Sequence, residues 1–251
     1  MTGARRGNGS RPARRGQSTT TVGDERSALR VLVMVGGPGA GKGTQARYLS
    51  AALGLPHVAS GDLFRDAMAA GTPTGLEAKA YYDRGALVPD ELTVRMIAER
   101  LDQPDAASGA ILDGFPRTVP QARALDGFLL RRGTRLQGAL YIDVSEDELV
   151  RRLSGRWICS GPAQHVYHVV NHPPERPGIC DFDGTELSQR ADDAADTIVA
   201  RLEKQLPPMY EVVDYYAERG LLLPVAGETR ASEVTDALLR AIEHAVTEPV
   251  T

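Results

Sequence analysis

Gly36-Gly37-Pro38-Gly39-Ala40-Gly41-Lys42-Gly43-Thr44 is the stretch of this sequence whose residue types could do chemistry together. Glycines let successive backbone N–H groups curl around an anion, a lysine beside them brings a cation to its outer oxygens, and a helix starting there adds the positive end of its dipole. The chemistry implied is the holding of a polyphosphate. The pattern matches G-x-x-x-x-G-K-[ST] with one departure: Gly43 occupies the hydroxyl position and Thr44 follows one place later. A direct bond from a hydroxyl to Mg²⁺ is therefore not assured. The alternative is a glycine-rich turn that carries no ligand.

Such a loop needs a strand to deliver it and a helix to receive it. Val31-Leu32-Val33-Met34-Val35 is an unbroken apolar run, the texture of a parallel strand buried on both faces, and Gln45-Ala46-Arg47-Tyr48-Leu49 opens a helix. Strands are expected again over 55–59, 110–117, 137–144 and 221–225. Helices are expected from Leu63, with Ser60 and Asp62 as its capping residues, over 90–102, over 192–218 with an interruption at Pro207-Pro208, and over 231–245. Strands that alternate with helices predict an α/β fold: a P-loop parallel sheet with helices on both faces. Ligands then sit at the carboxyl ends of the strands, where both the phosphate loop and Asp113-Gly114-Phe115-Pro116-Arg117 fall. Two departures interrupt this texture. Gly71-Thr72-Pro73-Thr74-Gly75 divides what reads as a small helical insertion, and from Gly155 to Arg190 prolines, glycines and short β-branched runs predict a small β-rich module.

The chain has 251 residues, 42% hydrophobic and 25% charged, enough for a real core. No stretch approaches the roughly 20 apolar residues of a membrane span, and the start lacks a secretory signal, so the cytoplasm is the expectation and a membrane partner is not. Residues 1–23 carry Arg5, Arg6, Arg11, Arg14 and Arg15 and no acid, and are expected to be a disordered basic tail. That tail holds +5 of a net charge of −4, which leaves −9 on the rest. An acidic body argues against nucleic acid as the main partner.

Gly36 to Gln45, Ser60-Gly61-Asp62-Leu63-Phe64-Arg65, Leu112-Asp113-Gly114-Phe115-Pro116-Arg117-Thr118-Val119-Pro120-Gln121, Gly155-Arg156 and Gln189-Arg190-Ala191-Asp192-Asp193 together resemble the adenylate kinase family in its long-lid bacterial form. The resemblance covers nearly everything after the tail. It implies a tail over 1–28, a core domain over 29–58, 89–154 and 194–251, an AMP-binding insertion over 59–88 and a mobile lid over 155–193. It further implies a monomer that carries out ATP + AMP ⇌ 2 ADP with Mg²⁺. On the ATP side it places Gly39, Ala40, Gly41, Lys42, Gly43, Thr44, Arg152, Arg156, Val166, Tyr167 and Thr229. On the AMP side it places Ser60, Arg65, Ala86, Leu87, Val88, Gly114, Phe115, Pro116, Arg117, Gln121, Arg190 and Arg201. Lys42, Arg117, Arg152, Arg156, Arg190 and Arg201 would carry the catalysis, with Asp113 orienting waters on Mg²⁺. Phosphoryl transfer between two anionic nucleotides needs massed positive charge and little covalent help, so the arginines suit it as a group. Singly, each of them also reads as a solvated helix face, Ser60 as a simple helix cap, Asp113 as a structural acceptor, and Val166 and Tyr167 as module core.

Cys159 and Cys180 are the only cysteines, and both fall in the expected lid. Gram-positive relatives often hold this module with C-x-x-C…C-x-x-[CD] zinc ligands; here Pro162 replaces the second cysteine and Asp183 stands fourth. Cys159, His165, Cys180 and Asp183 form a chemically reasonable tetrahedral set for zinc. A metal-free cluster and a disulfide stay open, the latter disfavoured in a reducing compartment.

Three rivals remain at this stage. One is a kinase for another nucleoside monophosphate or one using GTP, although a lid this long argues against UMP/CMP kinases. Another is a P-loop switch that binds without transferring, which wants an N-K-x-D motif that the sequence lacks. The third is a catalytically dead relative.

Overall fold

The computed structural model describes residues 30–82, 88–161, 163–189, 193 and 195–247; the basic tail expected over 1–28 lies outside them. β1 (Arg30–Val35) and α1 (Lys42–Leu53) are followed by β2 (His57–Ala59), α2 (Ser60–Ala69), α3 (Pro73–Tyr82) and α4 (Asp90–Leu101). β3 (Gly109–Asp113), α5 (Val119–Arg131), β4 (Leu136–Asp143) and α6 (Glu146–Ser154) continue the alternation. Three short strands, β5 (Arg156–Cys159), β6 (Val166–His168) and β7 (Leu187–Ser188), precede α7 (Ala195–Ala217), β8 (Leu222–Ala226) and α8 (Ala231–Thr247).

The central sheet has the order β2-β3-β1-β4-β8 with every pairing parallel. Along β1 the side chains alternate between two cores. Val31, Val33 and Val35 pack with Ile97 and Leu101 of α4 and Leu125 and Leu129 of α5. Leu32 and Met34 pack on the other face with Leu49 of α1, Leu149 of α6, Leu202 of α7 and Leu238 of α8. A strand apolar at every position is the sequence form of a sheet covered on both faces, as expected. Met34 lies beside Asp113 and Val35 beside Tyr141, so the phosphate loop and Asp113 leave the sheet at one edge.

Three local expectations are corrected. α7 runs unbroken through Pro207 and Pro208. Two interior prolines cost roughly 3 kcal/mol each, but Leu202, Leu206 and Val212 on either side are buried, at roughly 1.5–3 kcal/mol apiece. The carbonyls the prolines leave unbonded belong to Glu203 and Lys204, which are exposed to water. β2 begins at His57 rather than at residue 55, because Pro56 has no N–H to give to a ladder, although its carbonyl still accepts from Ile111 at 2.9 Å. Gly75 lies within α3 instead of in the break before it. A Cβ there would stand 2.1 Å from the Ala67 carbonyl oxygen, so the glycine lets α2 and α3 pack backbone to backbone.

α2, α3 and α4 share a small core of Phe64, Ala78, Leu92 and Met96. The short strands form a separate antiparallel sheet, β6-β5-β7, over Cys159, Tyr167, Cys180 and Leu187.

Candidate active site

The start of α1 has an unmet need. Its N-cap, Gly41 at φ 98°, has no side chain to accept from the first turn, and no acidic residue lies in that turn. The first-turn N–H groups and the dipole therefore have no capping side chain and no acid within their own turn, the condition of an anion site. Gly36 fits only as glycine: its φ is 151° and a Cβ would stand 2.9 Å from the Ile142 carbonyl oxygen. Lys42 bridges the loop, its Nζ donating to the carbonyls of Gly36 at 2.8 Å and Gly37 at 2.9 Å. Burial pushes the Lys42 ammonium down to about 8; Asp113 pulls it back up, and Arg117, Arg201 and Arg156 press it further down. Arg117, Arg201 and Arg156 thus act on the same nitrogen as Asp113. Within the loop Ala40 is packed in the core, while Gly39, Gly43 and Thr44 are half-buried.

Asp113 ends β3 beside this nitrogen, and its Oδ2 lies 3.3 Å from His57 Nε2. Burial raises the carboxyl, but the bond from His57 and the charges of Lys42 and Arg117 outweigh it, so Asp113 is held below the usual carboxylate range. It is an anion at neutral pH. A Cβ at Gly43 would stand 3.2 Å from Asp113 Oδ2, with nothing else within 4 Å outside its chain neighbours and its own helix backbone. The glycine in the hydroxyl position therefore keeps that carboxylate edge open. An ionised, half-buried oxygen donor with space before it suits Mg²⁺ held through its waters.

The arginines are held by acids and carbonyls. Arg156 binds Asp193 through Nε to Oδ2 at 2.7 Å and Nη2 to Oδ1 at 2.6 Å. Arg201 Nη1 donates to the same Oδ1 at 2.8 Å, and Asp193 is fully buried. Arg152 donates from Nε to Glu148 at 2.6 Å and from Nη2 to the Gly227 carbonyl at 2.8 Å. Arg151 and then Arg152 hold Glu148 down to about 2 against its desolvation. Arg117 Nε donates to the Gly114 carbonyl at 2.7 Å, and Arg65 pairs with Asp62 one turn back. Arg190 lies outside the described residues.

After β2, Ser60 is the first residue of α2, whose N-cap is Ala59. Its hydroxyl donates to the Gly114 carbonyl at 2.9 Å, which replaces the expected cap. Gly114 has φ 73°, Phe115 is fully buried, and the Phe115–Pro116 peptide is cis. The Gln121 side chain, 5% exposed, accepts from the Arg117 backbone N–H at 2.8 Å and donates to Asp90 Oδ1 at 2.7 Å. Val88 packs against the core of α2–α4; Ala86 and Leu87 lie outside the described residues. Thr229, after β8, is exposed.

In the small sheet Tyr167 is buried, its hydroxyl donating to Cys180 Sγ at 3.5 Å and accepting from the Asp181 N–H at 2.8 Å. The Tyr167 side chain is part of the module core, whereas Val166 is 36% exposed. The ligand atoms of Cys159, His165, Cys180 and Asp183 all lie within 4.8 Å of one another. His165 Nδ1 is 3.5 Å from Cys159 Sγ, 3.4 Å from Cys180 Sγ and 3.5 Å from Asp183 Oδ2. Donor atoms bound at 2.0–2.3 Å on a tetrahedron stand roughly 3.3–3.8 Å apart, so this spacing suits zinc. Thr185 holds Asp183 Oδ1, its hydroxyl at 2.7 Å and its N–H at 3.1 Å, which leaves Oδ2 for the cluster. These bonds from Thr185, followed by those from the thiols, push the Asp183 carboxyl well below its usual range. Pro162 lies outside the described residues.

His57, Asp90, Glu148 and Asp193 join this constellation without having been named as site residues from the sequence. Glu148 carries a local signal, its i,i+4 spacing to Arg152, and Asp193 lies in the stretch 189–193 that carries the resemblance.

A family model described as adenylate kinase matches residues 34–221, which takes in the loop, Asp113, the arginines and the cysteine cluster. Among similar curated proteins are the adenylate kinases of Streptomyces griseus, 45% identical over 212 residues (84% of this chain, 97% of that protein), and Moorella thermoacetica, 47% identical over 211 residues (84% and 97%). That of Bacillus subtilis is 48% identical over 203 residues, 81% of this chain and 93% of its own length. With a match of this extent lying over the phosphate loop, its acid and its arginines, the chain belongs to the adenylate kinase family.

Proposed function

We infer that this chain catalyses reversible phosphoryl transfer from ATP to AMP, as a phosphotransferase of its family. The observation that carries the reading is the uncapped start of α1 with Lys42 at its mouth and Arg117, Arg156 and Arg201 acting on that one nitrogen. The N–H groups of residues 39–44 and Lys42 bind the ATP phosphates, with Arg152 and Arg156. Arg65, Arg117, Arg190 and Arg201 bind AMP, its adenine lying near Ser60, Gln121 and the backbone at 86–88. Arg117 and Arg201 stabilise charge on the moving group, and no side chain acts as nucleophile. Asp113 holds waters of Mg²⁺, an ion that neutralises phosphate oxygens when bound. Residues 59–88 form the AMP-binding insertion and 155–193 a lid that closes over the site and excludes water, the remainder after the tail being the core.

Zinc is the metal we assign to Cys159, His165, Cys180 and Asp183, where it staples a module whose own core is small. No described helix is long and apolar enough to cross a membrane. A cytoplasmic monomer is the setting we propose.

A coupled assay with ATP, Mg²⁺ and each nucleoside monophosphate tests the reading. AMP is expected to turn over fastest, and a mimic joining two adenosines through five phosphates to inhibit. Faster turnover of UMP, CMP or GMP refutes the assignment.

A further inference from the structure

The amide of Gln121 is held from two sides by groups that cannot exchange roles. The Arg117 backbone N–H can only donate, and it meets Oε1 at 2.8 Å; the Asp90 carboxylate can only accept, and its Oδ1 meets Nε2 at 2.7 Å. A flipped amide would set oxygen against oxygen and N–H against N–H in a site where the side chain is 5% exposed. The carboxylate is itself fixed, because Thr118 Oγ1 donates to its other oxygen at 2.8 Å. Asp90 is the first residue of α4, and Thr118 and Gln121 are the N-cap and first-turn residues of α5, with the Gln121 N–H donating to Thr118 Oγ1 at 3.3 Å. Two helix starts are thus locked together around one amide.

A glutamine side chain has two N–H bonds and two lone pairs. One of each is used here, which leaves one donor and one acceptor in a fixed order. Adenine presents an acceptor at N1 beside an amino donor, while guanine and hypoxanthine present a donor at N1 beside a carbonyl acceptor. A free amide could turn over to suit either edge; one in fixed order suits a single edge.

We propose that Asp90 is a positioning residue which, by fixing the Gln121 amide, makes the acceptor site accept adenine and reject 6-oxopurines. The proposal rests on the reading that Gln121 faces the base of the accepting nucleotide. The test is the ratio of kcat/KM for IMP and GMP to that for AMP, with ATP as donor, in the wild type and in Asp90→Asn. An asparagine keeps the shape but can donate as well as accept, so it no longer opposes the flip. The ratio for IMP is expected to rise roughly tenfold or more, mainly through a higher KM for AMP, with kcat at saturating AMP changed by no more than a few-fold. On a Gln121→Ala background the same substitution is expected to leave the ratio unchanged. Thr118→Val, which frees the other carboxylate oxygen, gives a smaller rise in the same direction and serves as the variant if Asp90→Asn melts below the assay temperature. A wild type that prefers AMP, with a ratio unmoved by either substitution, overturns the role of Asp90 alone. A wild type indifferent to the base overturns the acceptor assignment and the proposal with it.

Discussion

Arg156 and Asp193 face each other through two parallel bonds, Nε to Oδ2 at 2.7 Å and Nη2 to Oδ1 at 2.6 Å, across 37 positions of sequence. The acid is fully buried and its Oδ1 also takes Arg201 at 2.8 Å. One carboxylate therefore aims two guanidinium groups assigned to opposite nucleotides.

Asp193→Asn keeps the shape and removes the charge. Breaking a buried ion pair by removing one partner costs roughly 3–5 kcal/mol, and in a chain of this size each kcal/mol moves Tm by roughly 2–4 °C. The variant is expected to melt roughly 6–20 °C lower, and its kcat/KM to fall for ATP and AMP together, since both cations lose their anchor. A calorimetric melt and steady-state kinetics check this. A fall confined to one nucleotide, or an unchanged Tm, contradicts the shared anchor.

Lys42, at about 8 in place of 10.5, gives the site a pH dependence whose sign can be worked out. Between those values the unfolded chain holds more protons than the folded one. The lysine thus lowers stability fully below about 8, and that penalty fades as pH rises towards 10.5. A bound polyphosphate favours the ammonium and restores its proton. Binding of ATP at pH 8 is therefore expected to take up about half a proton, and affinity to fall above that pH by at most about tenfold per unit. Calorimetric titration in two buffers of different ionisation enthalpy measures the uptake. Lys42→Met should abolish it, and an unchanged uptake in that variant would assign the proton elsewhere.

For the cysteine cluster, protein purified without chelator should carry close to one equivalent of zinc, and its removal should lower Tm because binding free energy at such a site is folding free energy. Cys180→Ser and Asp183→Ala should each weaken retention of the metal. Less than roughly a tenth of an equivalent in the wild type defeats the zinc assignment.

The sheet was legible because β1 from Val31 to Val35 feeds a core at every position, the form that a strand covered on both faces takes. The loop was legible because its glycines are tied to local backbone demands, as in the positive φ of Gly36, Gly39 and Gly41. What stayed hidden was the tertiary pairing of charge. Asp193 lies 37 positions from Arg156, Asp90 31 from Gln121 and Asp113 56 from His57, and no local period connects such partners. The reading of Pro207-Pro208 as an interruption failed for a related reason: local propensity marks a break, but the packing that outweighs it comes from other elements. The packing of Tyr167 with Cys159, Cys180 and Leu187 is hidden in the same way, since these residues come together from separate stretches of the chain.

Gly43 separates the role of Asp113 from the stability of the fold. As the second residue of α1 it could gain roughly 1 kcal/mol of helix propensity from Gly43→Ala, and apart from its chain neighbours and the backbone of its own helix the only atom within 4 Å of the new methyl would be Asp113 Oδ2 at 3.2 Å. That contact is tight enough to displace the carboxylate by a few tenths of an ångström and to narrow the space before it. If Asp113 holds the waters of Mg²⁺, the substitution should leave Tm unchanged or higher while raising the Mg²⁺ concentration needed for half-maximal activity several-fold, with much of the rate recovered at saturating metal. Melting curves and Mg²⁺ titrations of the coupled assay give both quantities. A variant with wild-type Mg²⁺ dependence would show that the open edge of Asp113 is not where the hydrated ion sits, and one that is merely destabilised would place the glycine's importance in the packing of the loop.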